Sequence, residues 1–253
     1  MKQLIEIEDV WKKYDMGKAE PLVVLRNIDL EIYEGEFVAI TGPSGSGKST
    51  MMNIVGALDI PSWGTVSLGG KDISKMSESE LASLRGKTIG FIFQQFNLLP
   101  TLSALKNVML PMEMIDMDPE KSKKRAVHLL DALGLGDRMY HKPNELSGGQ
   151  QQRVAIARSL SNDAPIVLAD EPTGNLDSKT GSFVMDFLHK LCKKEGKTII
   201  LITHDLNLVK YADRVVHIKD GEVEKIVKRT KMKGRSESIQ SSLLRTKMKG
   251  GSK

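Results

Sequence analysis

The chain has 253 residues, 40% of them hydrophobic and 27% charged, with a formal net charge of +5. That is enough apolar material for one large domain or a domain with subdomains, and no run approaches the roughly 18 uninterrupted apolar residues of a membrane span. A single cysteine, Cys192, allows neither an internal disulfide framework nor a Cys-rich metal site; its helical context predicts a buried or half-buried structural thiol. Met1–Glu6 lacks the apolar stretch of a signal peptide, so a cytosolic address is expected. The charge is uneven: residues 225–253 hold ten Lys/Arg and one Glu, leaving the rest of the chain mildly acidic. A basic overall balance is therefore no argument that the folded part binds nucleic acid.

In chain order, residues 4–14 and 22–33 read as strands joined by a polar turn. Glu36–Ile40 is an apolar strand that leads into a Gly-rich loop and a helix running to about Leu58. Ser77-Glu78-Ser79-Glu80 has the form of a capping box and opens a short helix to Arg85. Ile89–Phe93 is another strand. From about Leu98 to Leu160 the pattern is helical, broken at Pro111, Pro119, Gly134 and Pro143. Ile166–Ala169 and Thr198–Thr203 are buried strands flanking a helix over Lys179–Lys194, and Asp220-Gly221 marks a hairpin within Arg214–Glu224. Alternating strands and helices predict an α/β fold with a largely parallel sheet. The helical block interrupts that alternation and predicts a separate lobe. The basic tail repeats Arg-Thr-Lys-Met-Lys-Gly at 229–234 and 245–250, too few copies for a solenoid, and its composition predicts disorder.

Three motifs carry chemistry. Gly42-Pro43-Ser44-Gly45-Ser46-Gly47-Lys48-Ser49 fits the P-loop pattern between a strand and a helix. Glycines there let backbone N–H groups surround phosphates, the helix points its positive end at them, Lys48 meets the β- and γ-phosphates and Ser49 binds Mg²⁺. Leu146-Ser147-Gly148-Gly149-Gln150 opens a second helix whose N-terminus Ser147 can cap. One nucleotide needs one P-loop, so a second phosphate reader makes sense if it reads a nucleotide held by another chain. Ile166–Ala169 ends in Asp170-Glu171: Asp170 suits a Mg²⁺ carboxylate and Glu171 can reach an attacking water.

Together these residues resemble the nucleotide-binding domain of the ABC transporter superfamily over residues 4–224. The resemblance implies a P-loop NTPase with a RecA-like parallel-sheet core, an antiparallel β subdomain and an inserted helical subdomain. It implies that ATP and Mg²⁺ bind through residues 42–49 and Thr50, with Tyr14 stacking on adenine. Gln94 then senses Mg²⁺ beside Ser49 and Asp170, and couples to the membrane subunit. Lys48, Glu171 and His204 serve catalysis, and Ser147, Gly148, Gly149, Gln150 and Asp177 act in trans on the nucleotide of a second copy. Within the superfamily, Phe93–Pro100 and Leu146–Arg153 resemble the lipoprotein-releasing and macrolide-exporter group.

The expected organisation is an ATPase domain over 1–225, with its helical subdomain at about 96–165, and a basic tail over 226–253. The expected partners are a second copy and separately encoded integral membrane permease subunits at the inner face of the cell membrane. Nucleic acid is not expected, since residues 225–253 contain no Phe, Tyr or Trp to stack on bases; the tail keeps two open readings, a solvated extension that affects nothing and electrostatic contact with an anionic membrane. A cell-division type of membrane-coupled cassette remains an alternative. A soluble repair or translation ATPase fits less well: only 96 residues separate Ser49 from Leu146, too few for long coiled coils, and the chain holds one cassette. The Met109–Met117 strip has two open readings, an adaptable partner surface or core.

Overall fold

The computed structural model describes residues 2–17 and 20–228. The tail beyond Lys228, with the expectations placed on it, lies outside the described residues. Ten strands and six α-helices follow in the order β1 (Gln3–Tyr14), β2 (Leu22–Tyr33), β3 (Phe37–Thr41), α1 (Lys48–Val55), β4 (Trp63–Leu68), β5 (Lys71–Asp72), α2 (Glu78–Thr88), β6 (Ile89–Ile92), α3 (Ala104–Glu113), α4 (Pro119–Ala132), α5 (Gly148–Ser159), β7 (Ile166–Asp170), α6 (Ser178–Glu195), β8 (Thr198–Ile202), β9 (Arg214–Lys219) and β10 (Glu222–Lys228).

A six-stranded sheet in the order β10-β9-β3-β8-β7-β6 forms the middle layer, parallel throughout except for β10. Its central strands are continuous apolar runs because both faces are covered. The side-chain period of two divides them between two cores. Phe37, Ala39, Val167, Ala169, Ile199 and Leu201 face α3–α6. Val38, Ile40, Ile166, Leu168, Ile200 and Ile202 face α1 and a second sheet, the antiparallel β2-β1-β4-β5. One-residue alternation in three adjacent strands thus holds the helical lobe on one side and the antiparallel sheet on the other.

Two covalently distant pieces are locked together at the base of this sheet. Arg214 at the start of β9 donates from Nε and Nη2 to the two carboxylate oxygens of Glu36 at 2.7 and 2.8 Å. The side chains are only 8% and 10% exposed, and Arg214 also donates to the Glu31 carbonyl.

Several boundaries differ from the sequence reading. α1 ends at Val55 rather than Leu58, because Gly56 stops it and Ala57 takes a positive φ of 52°. β4 and β5 were not foreseen. β10 pairs with β9 as far as Lys228↔Arg214, so the boundary expected at 225/226 falls inside a strand. Lys225 and Lys228 are what made this stretch look like tail; on a sheet edge, lysines guard against pairing with other chains. The strip at 109–117 divides: Met109 and Met112 are core, while Met114 is 78% exposed.

Candidate functional site

β3 delivers the chain to the Gly42–Gly47 loop, and α1 starts at Lys48. Gly47 sits at φ 99°, and a Cβ there would stand 2.8 Å from Leu25 Cδ2 and 3.0 Å from the Val24 carbonyl, so both backbone and space demand glycine. Helices α2 to α6 each begin on a side chain that accepts an N–H group of the first turn: Ser77, Ser103, Asp118, Ser147 and Asp177. α1 has no such cap. Its first N–H groups and the positive end of its dipole therefore face the loop uncommitted, which is the condition for binding an anion. The buried Ser46 hydroxyl has no hydrogen-bond partner among the described residues. Lys48 Nζ donates to the Gly42 and Pro43 carbonyls at 2.9 and 2.6 Å, lying along the same loop.

The C-terminal ends of β7 and β8 bring the acidic residues to this loop. Burial, then the neighbouring Glu171 charge, pushes the Asp170 carboxyl above the usual carboxylate range, while Lys48 opposes the shift. Glu171 has a left-handed backbone, φ 45°, held by its N–H to the Ile202 carbonyl at 2.9 Å and by Gly174 N–H to its own carbonyl at 3.0 Å. A non-glycine residue there stores strain of about 1–3 kcal/mol, a feature of functional positions. Its carboxylate accepts from Thr203 Oγ1 at 3.0 Å and from the His204 backbone N–H at 2.8 Å, and lies 2.5 Å from His204 Nδ1. Glu171 is mostly covered and His204 is 72% exposed, so the pair joins a fixed carboxylate to an accessible imidazole.

A second group of expected residues gathers around α5. Ser147 and Gln150 form a capping box, with Gln150 N–H to Ser147 Oγ at 3.3 Å and Ser147 N–H to Gln150 Oε1 at 2.8 Å. Gly149 has a packing reason as well as a chemical one: its Cβ would meet Thr180 Cγ2 at 2.7 Å. Asp177 caps α6, and the Thr180 hydroxyl, then the Thr180 and Lys179 N–H groups, hold its carboxyl below the usual range. Gln94 lies exposed two residues beyond β6, and Asn175 Nδ2 donates to its carbonyl at 3.0 Å. Tyr14 ends β1, half-buried, near Thr50 of α1.

Sequence reasoning missed four residues that frame these groups. Thr203 holds Glu171. Arg158 of α5 donates to the Asn97 and Phe96 carbonyls at 2.5 and 2.9 Å, fastening the segment after Gln94. Gln152, fully buried, donates to the Pro172 carbonyl at 2.8 Å, next to Glu171. Asp59 receives the Tyr14 hydroxyl. A charged or amide side chain on the inner face of a helix was the available signal for Arg158 and Gln152; Thr203 and Asp59 gave none.

A hard-oxygen donor set of one hydroxyl, one carboxylate and one amide (Ser49, Asp170 and Gln94) suits a Mg²⁺ ion that takes its remaining ligands from phosphate and water. Among the described residues no group of three or more His, Cys, Asp or Glu could hold a metal alone.

Residues 25–174 match the family model described as ABC transporter. An uncharacterized ABC transporter ATP-binding protein of Thermotoga maritima is 50% identical over 229 residues, 90% of this chain and 97% of that protein. The chain belongs to the ABC transporter family. It is an ATP-binding cassette with the P-loop fold and an ABC-type ATPase. The cassette is also 50% identical to the macrolide export ATP-binding/permease protein MacB of a Shewanella species, covering 90% of this chain but 35% of that longer protein. Among solved structures, the dimeric post-hydrolysis state of the ATP-binding cassette MJ0796 of Methanocaldococcus jannaschii, bound to ADP and Pi, superposes with a TM-score of 0.84 at 48% identity, over 90% of this chain and all of that one. No helix among the described residues is long and apolar enough to cross a membrane.

Proposed function

We propose that the cassette binds MgATP at the 42–50 loop, pairs with a second copy of itself, and hydrolyses ATP to drive separately encoded membrane permease subunits of an exporter or lipoprotein-releasing type. The observation that carries this reading is α1: among the described residues it alone of the six α-helices starts without a side-chain cap, and the Lys48 charge at its start is felt by Asp170, which neighbours Glu171. The likeness to a dimeric cassette bound to ADP and Pi, and to the ATP-binding part of a macrolide exporter, supports the pairing and the coupling.

The chain's own residues divide the work. Loop N–H groups and Lys48 hold the β- and γ-phosphates, Tyr14 stacks on the adenine, and Ser49, Asp170 and Gln94 hold Mg²⁺, which supplies charge neutralisation across the phosphates. Glu171 takes the proton of the attacking water. His204, braced against Glu171, donates to the γ-phosphate as charge moves onto it. Ser147–Gln150 and Asp177 of one copy complete the site of the other. This work places the cassette at the inner face of the cell membrane, where the basic tail adds attraction to anionic lipid.

The test is Lys48→Ala in the full chain. Removing the fixed cation should abolish ATP binding or hydrolysis, and normal turnover would overturn the site. Co-purification of a membrane subunit with the wild-type cassette tests the coupling.

A further inference from the structure

The adenine end of the proposed site contains a closed cluster that none of the three motifs accounts for. Lys12 and Tyr14 lie two residues apart on β1, hence on one face of the strand. Both reach the same carboxylate, Asp59, which follows the end of α1. Lys12 Nζ donates to Asp59 Oδ1 at 2.6 Å and to the Ile60 carbonyl at 2.8 Å. The Tyr14 hydroxyl donates to Asp59 Oδ2 at 3.0 Å. Asp59 Oδ1 also accepts the Ile60 N–H at 2.8 Å, which fixes the carboxylate against its own backbone. Lys12 is a buried lysine, 9% exposed, and its ammonium lies 5.0 Å from the Tyr14 ring centroid. Burial, then the Asp59 hydrogen bond and charge, keep the Tyr14 hydroxyl protonated as a donor.

An exposed β1 end carrying one half-buried aromatic would leave the ring free to rotate. Here the hydroxyl is tethered and a cation sits within reach of the ring. The tether runs to the C-terminal end of the helix whose N-terminal end carries the phosphate loop. One carboxylate therefore sets the distance and angle between the ring and that loop. We propose that Asp59, with Lys12 as its counter-ion, is a positioning residue that holds Tyr14 in register with the P-loop, so that base and triphosphate are bound together. This rests on the reading that Tyr14 stacks on adenine. Asp59 touches no reacting atom; its contribution is pre-organisation, which acts on affinity and not on the chemical step.

Tyr14→Phe keeps the ring and removes the hydroxyl, and with it the tether to Asp59 and the contact with Thr50. It should weaken ATP binding about three- to tenfold, the worth of one ordered hydrogen bond, with the loss in KM rather than kcat. Inorganic tripolyphosphate, which has no base, should compete against both proteins equally well. Asp59→Ala should weaken ATP by a similar factor and add little to Tyr14→Phe in the double variant, and thermal melting verifies that each variant is folded. If Tyr14→Ala binds ATP as wild type does, the adenine reading itself falls. If Tyr14→Ala is weak but Tyr14→Phe matches wild type, stacking stands and the tether is overturned. Equal losses for ATP and tripolyphosphate, or full additivity of Asp59→Ala and Tyr14→Phe, would also overturn it.

Discussion

Replacing Glu171 with Gln separates the carboxylate's chemistry from its structural duty. Glu171 Oε1 receives the His204 N–H at 2.8 Å and lies 2.5 Å from His204 Nδ1, and Oε2 receives the Thr203 hydroxyl at 3.0 Å. A glutamine keeps its oxygen toward His204 and turns its amide nitrogen toward Thr203. The Thr203 hydroxyl already accepts the Asp205 N–H at 3.1 Å, and with two lone pairs it can accept from the amide as well. The buried Thr203 hydroxyl then has no acceptor for its own proton, so stability should fall by about 1–3 kcal/mol. The lost function is proton abstraction, worth about 10²- to 10⁴-fold in rate, or roughly 3–5 kcal/mol of barrier. Phosphate release by the purified protein should fall by that factor while ATP still binds. With ATP retained, size-exclusion chromatography at physiological salt should show a dimer that reverts to monomer without nucleotide; salt matters because it screens surface charges that oppose closure. Turnover within about threefold of wild type would refute the assignment of Glu171. A monomer with ATP demonstrably bound would refute the shared site.

Other outcomes follow from particular contacts. Glu36→Ala strands the buried Arg214 guanidinium and should cost about 3–5 kcal/mol. For a domain of this size that lowers Tm by about 10 °C, and a calorimetric drop under about 3 °C would show that the pair is dispensable. Because burial raises the Asp170 pKa, its ionised form costs stability at neutral pH, and the cost disappears as pH falls through the raised value and the group protonates. Asp170→Asn should therefore melt higher than wild type near pH 7 without nucleotide, with a gain that shrinks on acidification, while losing its response to MgATP; a gain independent of pH would contradict this. Residues 229–253 carry eight Lys/Arg and one Glu, each cation worth about 1 kcal/mol near an anionic bilayer. The full chain should co-sediment with anionic vesicles at low salt, a chain ending at Lys228 should not, and equal binding by both would end the attachment idea.

The central strands were legible because burial on both faces makes them unbroken apolar runs: Phe37–Thr41, Ile166–Asp170 and Thr198–Ile202 stand where the sequence placed them, within a residue or so. Ser77 and Glu80 form the expected capping box. Asp220-Gly221 forms the expected turn, both residues at positive φ, because few other pairs tolerate that backbone. β4 escaped notice although Trp63-Gly-Thr-Val-Ser-Leu68 alternates, since only Val66 and Leu68 are buried and the exposed Trp63 breaks the pattern. The P-loop and the Asp170-Glu171 pair could be read because their chemistry is local in sequence. The supports could not: Arg158 acts 61 residues from Asn97 and Asp59 acts 45 residues from Tyr14. Such distances leave no periodicity and no spacing to detect.

The same contacts bear on how ATP could close two copies. Groups assigned to phosphate are already bonded within the chain: Lys48 to two loop carbonyls, His204 to Glu171, Ser147 to Gln150. On the reading proposed above, binding is an exchange of hydrogen bonds. Exchange between neutral partners nets about 0.5–1.5 kcal/mol, and bonds to a charged group about 1.5–3 kcal/mol. The surplus therefore comes from the phosphate charge rather than from the number of contacts. Ser147 illustrates this. Its oxygen accepts the Gln150 N–H, so it can donate its own proton to a phosphate oxygen without giving up the cap. A γ-phosphate offers such an acceptor across the interface, and ADP without it offers none. Closure then depends on the γ-phosphate, and Ser147→Ala should weaken the ATP-dependent dimer of Glu171→Gln while leaving ATP binding to the monomer unchanged. Sedimentation velocity of the double variant measures this, and an undiminished dimer would place the γ-phosphate reader elsewhere.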